Sequence, residues 1–149
     1  MSPSPAHPHR LIVLDTNVVL DLWLFEDFRV AGLRAALETG HAQALVTAAT
    51  LAELADVLQR PFAMSRKDNV SRVLAALHAC SHRVPTPAPQ SIRAPRCSDV
   101  DDQKFVDLAW SWPAGWLLSR DRAVLKLART ARLHGLRIGT PETWAAAQA

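Results

Sequence analysis

The most constraining feature of the sequence is a run of apolar residues, Leu11-Ile-Val-Leu14, that ends directly at Asp15. A strand in which every side chain is apolar has to be covered on both faces, which is typical of a parallel sheet with helices on either side. Shorter apolar runs recur at Ala44-Leu-Val46 and Trp116-Leu-Leu118, and Leu136-Arg-Ile138 is a candidate for a final strand. The pattern predicts an α/β/α sandwich with a central parallel sheet of about four to five strands.

In the segments between these runs, apolar residues recur at helical spacing, and several of the predicted helices end at a proline or glycine. Arg83-Val84 is a candidate for one more short strand, and the proline-rich segment that follows it is expected to be an extended connection. Helices are predicted from about Thr16, over Val30 to Leu37, over Leu51 to Leu58, over Arg66 to Cys80, over Asp102 to Trp112, over Val124 to Ala131, and from Pro141.

Length and composition indicate one ordinary domain. The 149 residues are 49% hydrophobic, so a full core is available without disulfides or structural metals. We expect a loose tail over residues 1–9 and a single domain over residues 10–149. Cys80 and Cys97 fit neither a disulfide framework nor a C-x-x-C motif, and we interpret both as free thiols.

Several protein classes are excluded or disfavoured at this stage. The five glycines never come close enough together to form the common phosphate-binding loops, so dinucleotide enzymes and P-loop ATPases are not expected. The apolar runs are too short to cross a bilayer, and the first ten residues contain no secretory core. We therefore expect a cytoplasmic protein that does not bind membranes.

Four acidic residues are expected to converge on one edge of the sheet. Ligands bind at the carboxyl ends of parallel strands, where Asp15 and Asp121 follow two predicted strands. Glu53 and Asp102 lie early in predicted helices and can reach the same edge. Each acid also has a structural interpretation, because Asp15, Asp102 and Asp121 suit helix N-termini and Thr50-Leu-Ala-Glu53 fits a capping box.

The joint placement of these acids favours a metal site over four separate caps. Clustered carboxylates raise one another's pKa values or require a counter-cation. Oxygen-only ligation favours Mg²⁺ or Mn²⁺ over Zn²⁺. Such a site can activate water and stabilise the charge on a departing oxygen, so metal-assisted phosphodiester hydrolysis is the chemistry that fits.

The motifs that carry these acids resemble those of PIN domains, a family of metal-dependent nucleases that includes the toxins of VapBC-type toxin–antitoxin pairs. The resemblance covers about residues 10 to 145. The most specific part is Leu11-Ile-Val-Leu-Asp-Thr-Asn-Val-Val-Leu20, which is similar to the opening strand of the family and its Asp-Thr-Asn motif. Three further segments resemble the remaining motifs: Thr50-Leu-Ala-Glu-Leu54, Cys97-Ser-Asp-Val-Asp-Asp-Gln-Lys-Phe105 and Leu117-Leu-Ser-Arg-Asp121.

The resemblance implies roles for individual residues. It assigns metal binding and catalysis to Asp15, Glu53, Asp102 and Asp121. The third motif departs from the usual pattern of its subfamily, because Ser98, Val100 and Gln103 replace Arg, Pro and an acid or amide. Supporting positions around the metal are implied for Asn17, Asp99, Asp101 and Ser119.

Basic residues follow the last of these acids. Lys and Arg outnumber Asp and Glu by 17 to 14, and the excess is concentrated after Asp121. On a continuous helix, Arg122, Lys126 and Arg129 would share one face with Arg120 nearby, either as a solvated surface or as contacts to RNA phosphates. We predict RNA binding for Arg120, Arg122, Lys126 and Arg129.

The resemblance implies a ribonuclease that cleaves single-stranded RNA with Mg²⁺ or Mn²⁺, as the toxin of a type II toxin–antitoxin pair. Expected partners are therefore RNA, a cognate antitoxin and a second copy of the chain. Trp23 and Phe25 are expected to pack in the core, with an antitoxin or dimer interface as the alternative. Two other hypotheses are a receiver-like phosphoacceptor and a catalytically idle interaction module. The retention of all four acids argues against the idle module, and the single acid after the first strand argues against a receiver.

Overall fold

The computed structural model describes residues 10–88 and 93–149. In that part of the chain, five parallel strands form one sheet in the order β3-β2-β1-β4-β5. The tail predicted over residues 1–9 and part of the proline-rich connection lie outside the described residues. The strands are β1 (Leu11–Leu14), β2 (Gln43–Val46), β3 (Ser81–Arg83), β4 (Trp116–Leu118) and β5 (Arg137–Gly139).

The central strand β1 is buried at every position, as its sequence predicts. Ile12 and Leu14 belong to one hydrophobic cluster, whereas Leu11 and Val13 belong to a second cluster. Because alternate side chains of a strand point to opposite faces, the two clusters lie on the two sides of the sheet. This arrangement confirms the predicted α/β/α sandwich.

Helices cover both faces of the sheet. Val18, Leu33 and Leu54 pack in the first cluster, and Phe105 and Val124 pack in the second. The helices are α1 (Thr16–Val19), α2 (Ala31–Thr39), α3 (Ala48–Val57), α4 (Pro61–Met64), α5 (Lys67–Ala79), α6 (Gln103–Ser111), α7 (Arg122–Leu125), α8 (Ala128–Arg132) and α9 (Pro141–Gln148), with a π-helical segment at Leu20–Leu24 and 3₁₀ turns at Phe28–Val30 and Val100–Asp102.

Two predicted element boundaries are wrong. The helix predicted over Val124 to Ala131 is divided into α7 and α8, because the amide of Leu127 donates to the carbonyl of Val124, three residues back, instead of continuing the α-helical pattern. The strand predicted at Arg83-Val84 is β3, Ser81–Arg83. Its register partners in β2 are Ala44, Leu45 and Val46.

The N-terminus of α3 differs from the predicted capping box. Thr47 is the N-cap, and its hydroxyl accepts a hydrogen bond from the Thr50 amide at 3.2 Å. The Thr50 hydroxyl in turn accepts from the Thr47 amide at 3.0 Å. The two threonines therefore complete the cap between themselves, and Glu53 is free for another role.

Two other predictions concern the chain as a whole. Cys80 and Cys97 are both free thiols, as predicted. No helix within residues 10–88 and 93–149 is long and apolar enough to span a bilayer.

Candidate metal centre

The candidate site lies where two central strands end side by side. Leu14 pairs with Leu118 at the carboxyl ends of β1 and β4. Asp15 directly follows β1, and its amide donates a hydrogen bond to the carbonyl of Leu118 at 3.0 Å. Ser119 and Asp121 follow β4. The topology therefore brings these residues to one edge of the sheet, as predicted from the sequence.

Asp15 is held inside this edge and does not cap a helix. Its side chain is 3% exposed, and Oδ2 accepts a hydrogen bond from the Ser119 hydroxyl at 2.7 Å. Although Asp15 occupies the N-cap position of α1, its carboxylate forms no capping hydrogen bond. Burial raises the pKa of Asp15, opposed by the Ser119 hydrogen bond, and the charges of Glu53 and Asp121 raise it further.

Ser119 connects two of the predicted acids. It is fully buried, and its hydroxyl oxygen accepts a hydrogen bond from the Asp121 amide at 3.0 Å while its proton is donated to Asp15. The serine thus sets the position of the Asp15 carboxylate relative to the turn that carries Asp121. This contact gives Ser119 a definite supporting role at the edge.

Three carboxylates at this edge are close enough to share one cation. Ligand oxygens of Asp99, Asp102 and Asp121 all lie within 4.8 Å of one another. Asp121 also caps α7 by accepting from the Ala123 amide at 2.8 Å. Asp121 can therefore cap α7 with one carboxylate oxygen and belong to the cluster with the other.

Asp102 is the most constrained member of the cluster. It is 9% exposed, and its Oδ2 is buried with no hydrogen-bond partner among the described residues. Burial, the adjacent carboxyl of Asp121 and the charge of Asp15 raise the pKa of Asp102 to about 8. An unpartnered buried oxygen beside two other carboxylates is the arrangement that a bound cation would satisfy.

Hydrogen bonds from the first residue of α6 hold the loop that precedes Asp99 and Asp102. The Gln103 side chain accepts a hydrogen bond from the Cys97 amide at 2.6 Å and donates to the Pro95 carbonyl at 3.0 Å. Asp99 begins the 3₁₀ turn by accepting from the Asp101 amide at 3.0 Å. Gln103, which departs from the usual motif, therefore has a structural function in positioning the cluster.

Glu53 lies beside the cluster and not within it. Its Oε1 is 2.7 Å from the Nζ of Lys104, and its other oxygen accepts a hydrogen bond from the Thr16 hydroxyl. Its charge still acts on Asp15. Sequence reasoning assigned no role to Lys104 or Thr16, although both stand inside the quoted motifs. Apolar periodicity carries no signal for such a contact, because α3 and α6 meet only in the folded chain.

Two predicted supporting residues do not take part in these contacts. The side chains of Asn17 and Asp101 are exposed and form no hydrogen bond or ion pair within the described part of the chain. Asp101 contributes its backbone amide only. Among the four predicted supporting residues, the structure thus brings Ser119 and Asp99 to the site.

Arg120 is already bound by carboxylates. Its guanidinium contacts Asp21 at 2.8 Å and both oxygens of Glu142 at 2.6 and 2.9 Å. These partners, chiefly Glu142, raise the pKa of Arg120. These contacts connect the turn before Asp121 to the π-helical segment and α9. An RNA contact of Arg120 stays a prediction, and its guanidinium already has partners within the chain.

The other predicted basic residues are available. Arg122, Lys126 and Arg129 are exposed and form no salt bridge with any described residue. The break between α7 and α8 means that they do not share the single helix face expected from their spacing. Arg122 lies on α7, Lys126 lies in the turn between the two helices, and Arg129 lies on α8.

The donor set at this edge fits a hard divalent cation. Three carboxylates offer oxygens that lie within 4.8 Å of one another, and Oδ2 of Asp102 has no hydrogen-bond partner in the part of the chain that the structure describes. Mg²⁺ and Mn²⁺ prefer such ligands. Two of the four residues predicted to bind metal, Asp102 and Asp121, lie in this set together with Asp99, whereas Asp15 and Glu53 lie outside it. The metal-binding role of the four predicted acids stays a prediction.

Comparison with known proteins gives one family. The family model described as PIN domain matches residues 11–123, from the first residue of β1 to the second residue of α7. The match includes every acid of the candidate site. No curated protein matches the chain.

Proposed function

The chain belongs to the PIN domain family, and from this premise we propose that it is a divalent-metal-dependent endoribonuclease that hydrolyses single-stranded RNA. Proteins of this family are generally nucleases and typically depend on divalent metals. The observation that carries the proposal is the buried, unpartnered oxygen of Asp102 among three carboxylates. The Asp102 side chain forms no capping hydrogen bond to α6, and buried polar atoms in proteins are rarely left without a partner.

Four aspartates form the metal site in this proposal. Asp99, Asp102 and Asp121 would hold Mg²⁺ or Mn²⁺, with Asp15 as the neighbouring ligand that Ser119 orients. A bound divalent ion supplies Lewis-acid activation of water and stabilisation of the charge on the departing oxygen. Because all four carboxylates are tied to strand or helix ends, they are held ready before substrate binds.

Glu53 contributes to the same site through its pairing with Lys104. The ammonium group offsets part of the negative charge that Glu53 places near Asp15. Glu53 and Thr16 also connect α3 to the start of α1. We therefore assign Glu53 and Lys104 to positioning and charge balance at the metal edge.

Substrate phosphates would be held by basic residues near Asp121. Arg122 on α7, Lys126 in the turn after it and Arg129 on α8 are exposed and form no salt bridge with a described carboxylate. Contacts of this kind position a nucleic acid without reading its sequence. Single-stranded RNA is the substrate that the resemblance implies.

The protein is further proposed to act in the cytoplasm as the toxin of a type II toxin–antitoxin pair, as a homodimer. An exposed aromatic surface supports a protein partner: Phe25 is 41% exposed and stacks on Phe62, and Phe28 is 85% exposed. Trp23, the other interface candidate, is 6% exposed and belongs to the core. Co-expression with the product of a neighbouring small reading frame tests this role, because an antitoxin should form a complex that inhibits cleavage.

Cleavage of single-stranded RNA by purified protein tests the enzymatic proposal. Incubation with Mn²⁺ should produce cleavage that EDTA abolishes, and Asp15→Asn should lose the activity while keeping its fold. The variant is purified in the same way as the parent, so equal cleavage by both would indicate a contaminating ribonuclease and would refute the proposal. Absence of cleavage by the parent would favour an idle interaction module.

A further inference from the structure

A cavity lies at the β5 edge of the sheet, outside the metal site. It has a volume of about 500 Å³ and is bordered by β5, α8 and α9. Cavities that bind small ligands have volumes in this range. We call it the arginine pocket; its principal lining residues are Trp116, Arg129, Arg132, Leu133, Arg137 and Ile138.

Three positive charges border this pocket without counter-charges. Arg129, Arg132 and Arg137 are exposed, and none of them forms a salt bridge with a described residue. Residues 1–9 and 89–92 contain no Asp or Glu that could supply one. Three guanidinium groups around one cavity repel one another, so an anionic ligand would stabilise the arrangement.

The floor of the pocket is apolar and partly aromatic. The Arg137 guanidinium lies over the Trp116 ring, 5.6 Å from its centroid. Two apolar side chains also line the pocket: Leu133 is 83% exposed, and Ile138 is 7% exposed. A ligand that fits both features carries negative charge and a flat apolar group. A nucleotide has this combination, because its phosphate pairs with arginine and its base stacks on apolar or guanidinium surfaces.

The pocket is close enough to the metal edge for one strand of RNA to reach both. Trp116 and Arg137 begin β4 and β5 and pair in register, whereas Ser119 and Asp121 follow the other end of β4. The three-residue β-strand β4 spans about 10 Å, so this is the approximate distance between the two ends of the strand. Arg122 and Lys126 lie on the intervening part of the chain, between Asp121 and α8.

We propose that the arginine pocket binds a nucleotide of single-stranded RNA at a position removed from the scissile bond. The identity of the ligand rests on the proposed function, but the pocket itself does not use the metal site. Its arginines would bind the phosphate, and its apolar floor would contact the base. This assigns a binding role to Arg132 and Arg137, which are placed by α8 and β5.

Equilibrium binding without metal tests this pocket directly. Fluorescence anisotropy of a labelled single-stranded RNA of about 12 nucleotides is measured in EDTA for the parent, Arg132→Gln and Arg137→Gln. Arg83→Gln is the matched control, because Arg83 is an exposed arginine on β3 at the opposite edge of the sheet. Thermal unfolding of all four proteins verifies that they are folded.

Each pocket variant should weaken RNA binding by about tenfold, and its plot of log affinity against log salt should flatten by about 0.7 for each lost phosphate contact. Arg83→Gln should match the parent. Equal affinities and equal salt slopes in all four proteins would overturn the pocket, and so would a failure of the parent to bind RNA. Tighter binding of a polyglutamate peptide than of RNA would overturn it in favour of a protein ligand.

The outcome is separable from that of the nuclease proposal. Loss of binding in the pocket variants together with absent cleavage by the parent would support the pocket and refute the enzyme. Mn²⁺-dependent cleavage by the parent together with unchanged RNA binding in the pocket variants would support the enzyme and refute the pocket.

Discussion

The ammonium group of Lys104 lies 2.7 Å from Oε1 of Glu53, directly beside the cluster of carboxylates at the ends of β1 and β4. Lys104 is on α6 and Glu53 is on α3, so the pair joins two helices across the candidate site. Their side chains are 31% and 20% exposed, which leaves the pair less screened than a surface ion pair. The lysine thus supplies a fixed positive charge where negative charges concentrate.

Removal of this charge should make the protein more dependent on metal. Lys104→Met leaves Glu53 uncompensated beside Asp15, and we expect a loss of about 1–2 kcal/mol of stability in EDTA. Mn²⁺ should recover part of this loss. Thermal unfolding with and without Mn²⁺ measures both effects, with Lys67→Met as an exposed control. Additive effects of Lys104→Met and Glu53→Gln in a double-mutant cycle would contradict the pairing.

Ser119→Ala should weaken metal binding without unfolding the protein. The substitution removes the donor to Asp15 and leaves the part-buried Asp121 amide without its acceptor. Loss of a residue that orients a ligand typically lowers metal affinity by about 10- to 100-fold. Titration with Mn²⁺ measures the change, and Ser111→Ala, at an exposed serine, is the control. Unchanged affinity would show that Ser119 has no part in positioning the acids.

Asp102→Asn should stabilise the protein in the absence of metal. The substitution replaces a carboxyl group that, once buried beside two carboxylates, must either bind a proton or carry a poorly solvated charge, because burial and neighbouring acids raise the pKa of Asp102 to about 8. We expect the melting temperature in EDTA to rise by about 2–4 °C, which corresponds to roughly 1 kcal/mol. A stabilising substitution at the centre of a site is the signature of a residue retained for function. A melting temperature that falls in EDTA would contradict this interpretation.

The contribution of Glu142 to stability should depend on pH. Hydrogen bonding to Arg120 lowers the pKa of Glu142 below its ordinary value of 4.5. A carboxyl whose pKa is lowered by folding contributes stability above its unfolded pKa and loses it as pH falls through the folded pKa. Glu142→Gln should therefore be less stable than the parent at neutral pH, by less than about 1 kcal/mol because the pair is partly exposed.

Urea denaturation of Glu142→Gln and the parent at several pH values measures this difference. It should shrink as pH falls from neutral to well below 4.5. A difference that stays constant over this range would show that Glu142 acts through packing and not through its charge.

The layers of the fold follow from the sequence because burial leaves a strong pattern. The run Leu11–Leu14 is apolar at every position, and the structure places alternate side chains of this strand in separate cores. The division between α7 and α8 had no such signal. Both halves of the predicted helix contribute buried residues, Val124 and Ala131, so apolar spacing is satisfied with or without the break.

Within the candidate site, only the residues that follow strand ends could be placed from the sequence. The position of Asp15 and Asp121 at adjacent strand ends follows from topology. The contacts of Lys104 with Glu53 and of Arg120 with Glu142 join residues far apart in sequence. Such pairs depend on how helices pack, and no local pattern encodes that packing.

Direct measurement of Mn²⁺ binding is the most decisive test of the proposed metal centre. Electron paramagnetic resonance counts free and bound Mn²⁺ in titrations of the parent, Asp102→Asn and Arg83→Gln. The proposal predicts saturable binding by the parent and by Arg83→Gln, and at least about tenfold weaker binding by Asp102→Asn, a loss of about 1.4 kcal/mol. Equal Mn²⁺ affinity of the parent and Asp102→Asn, or no saturable binding by the parent, would contradict it.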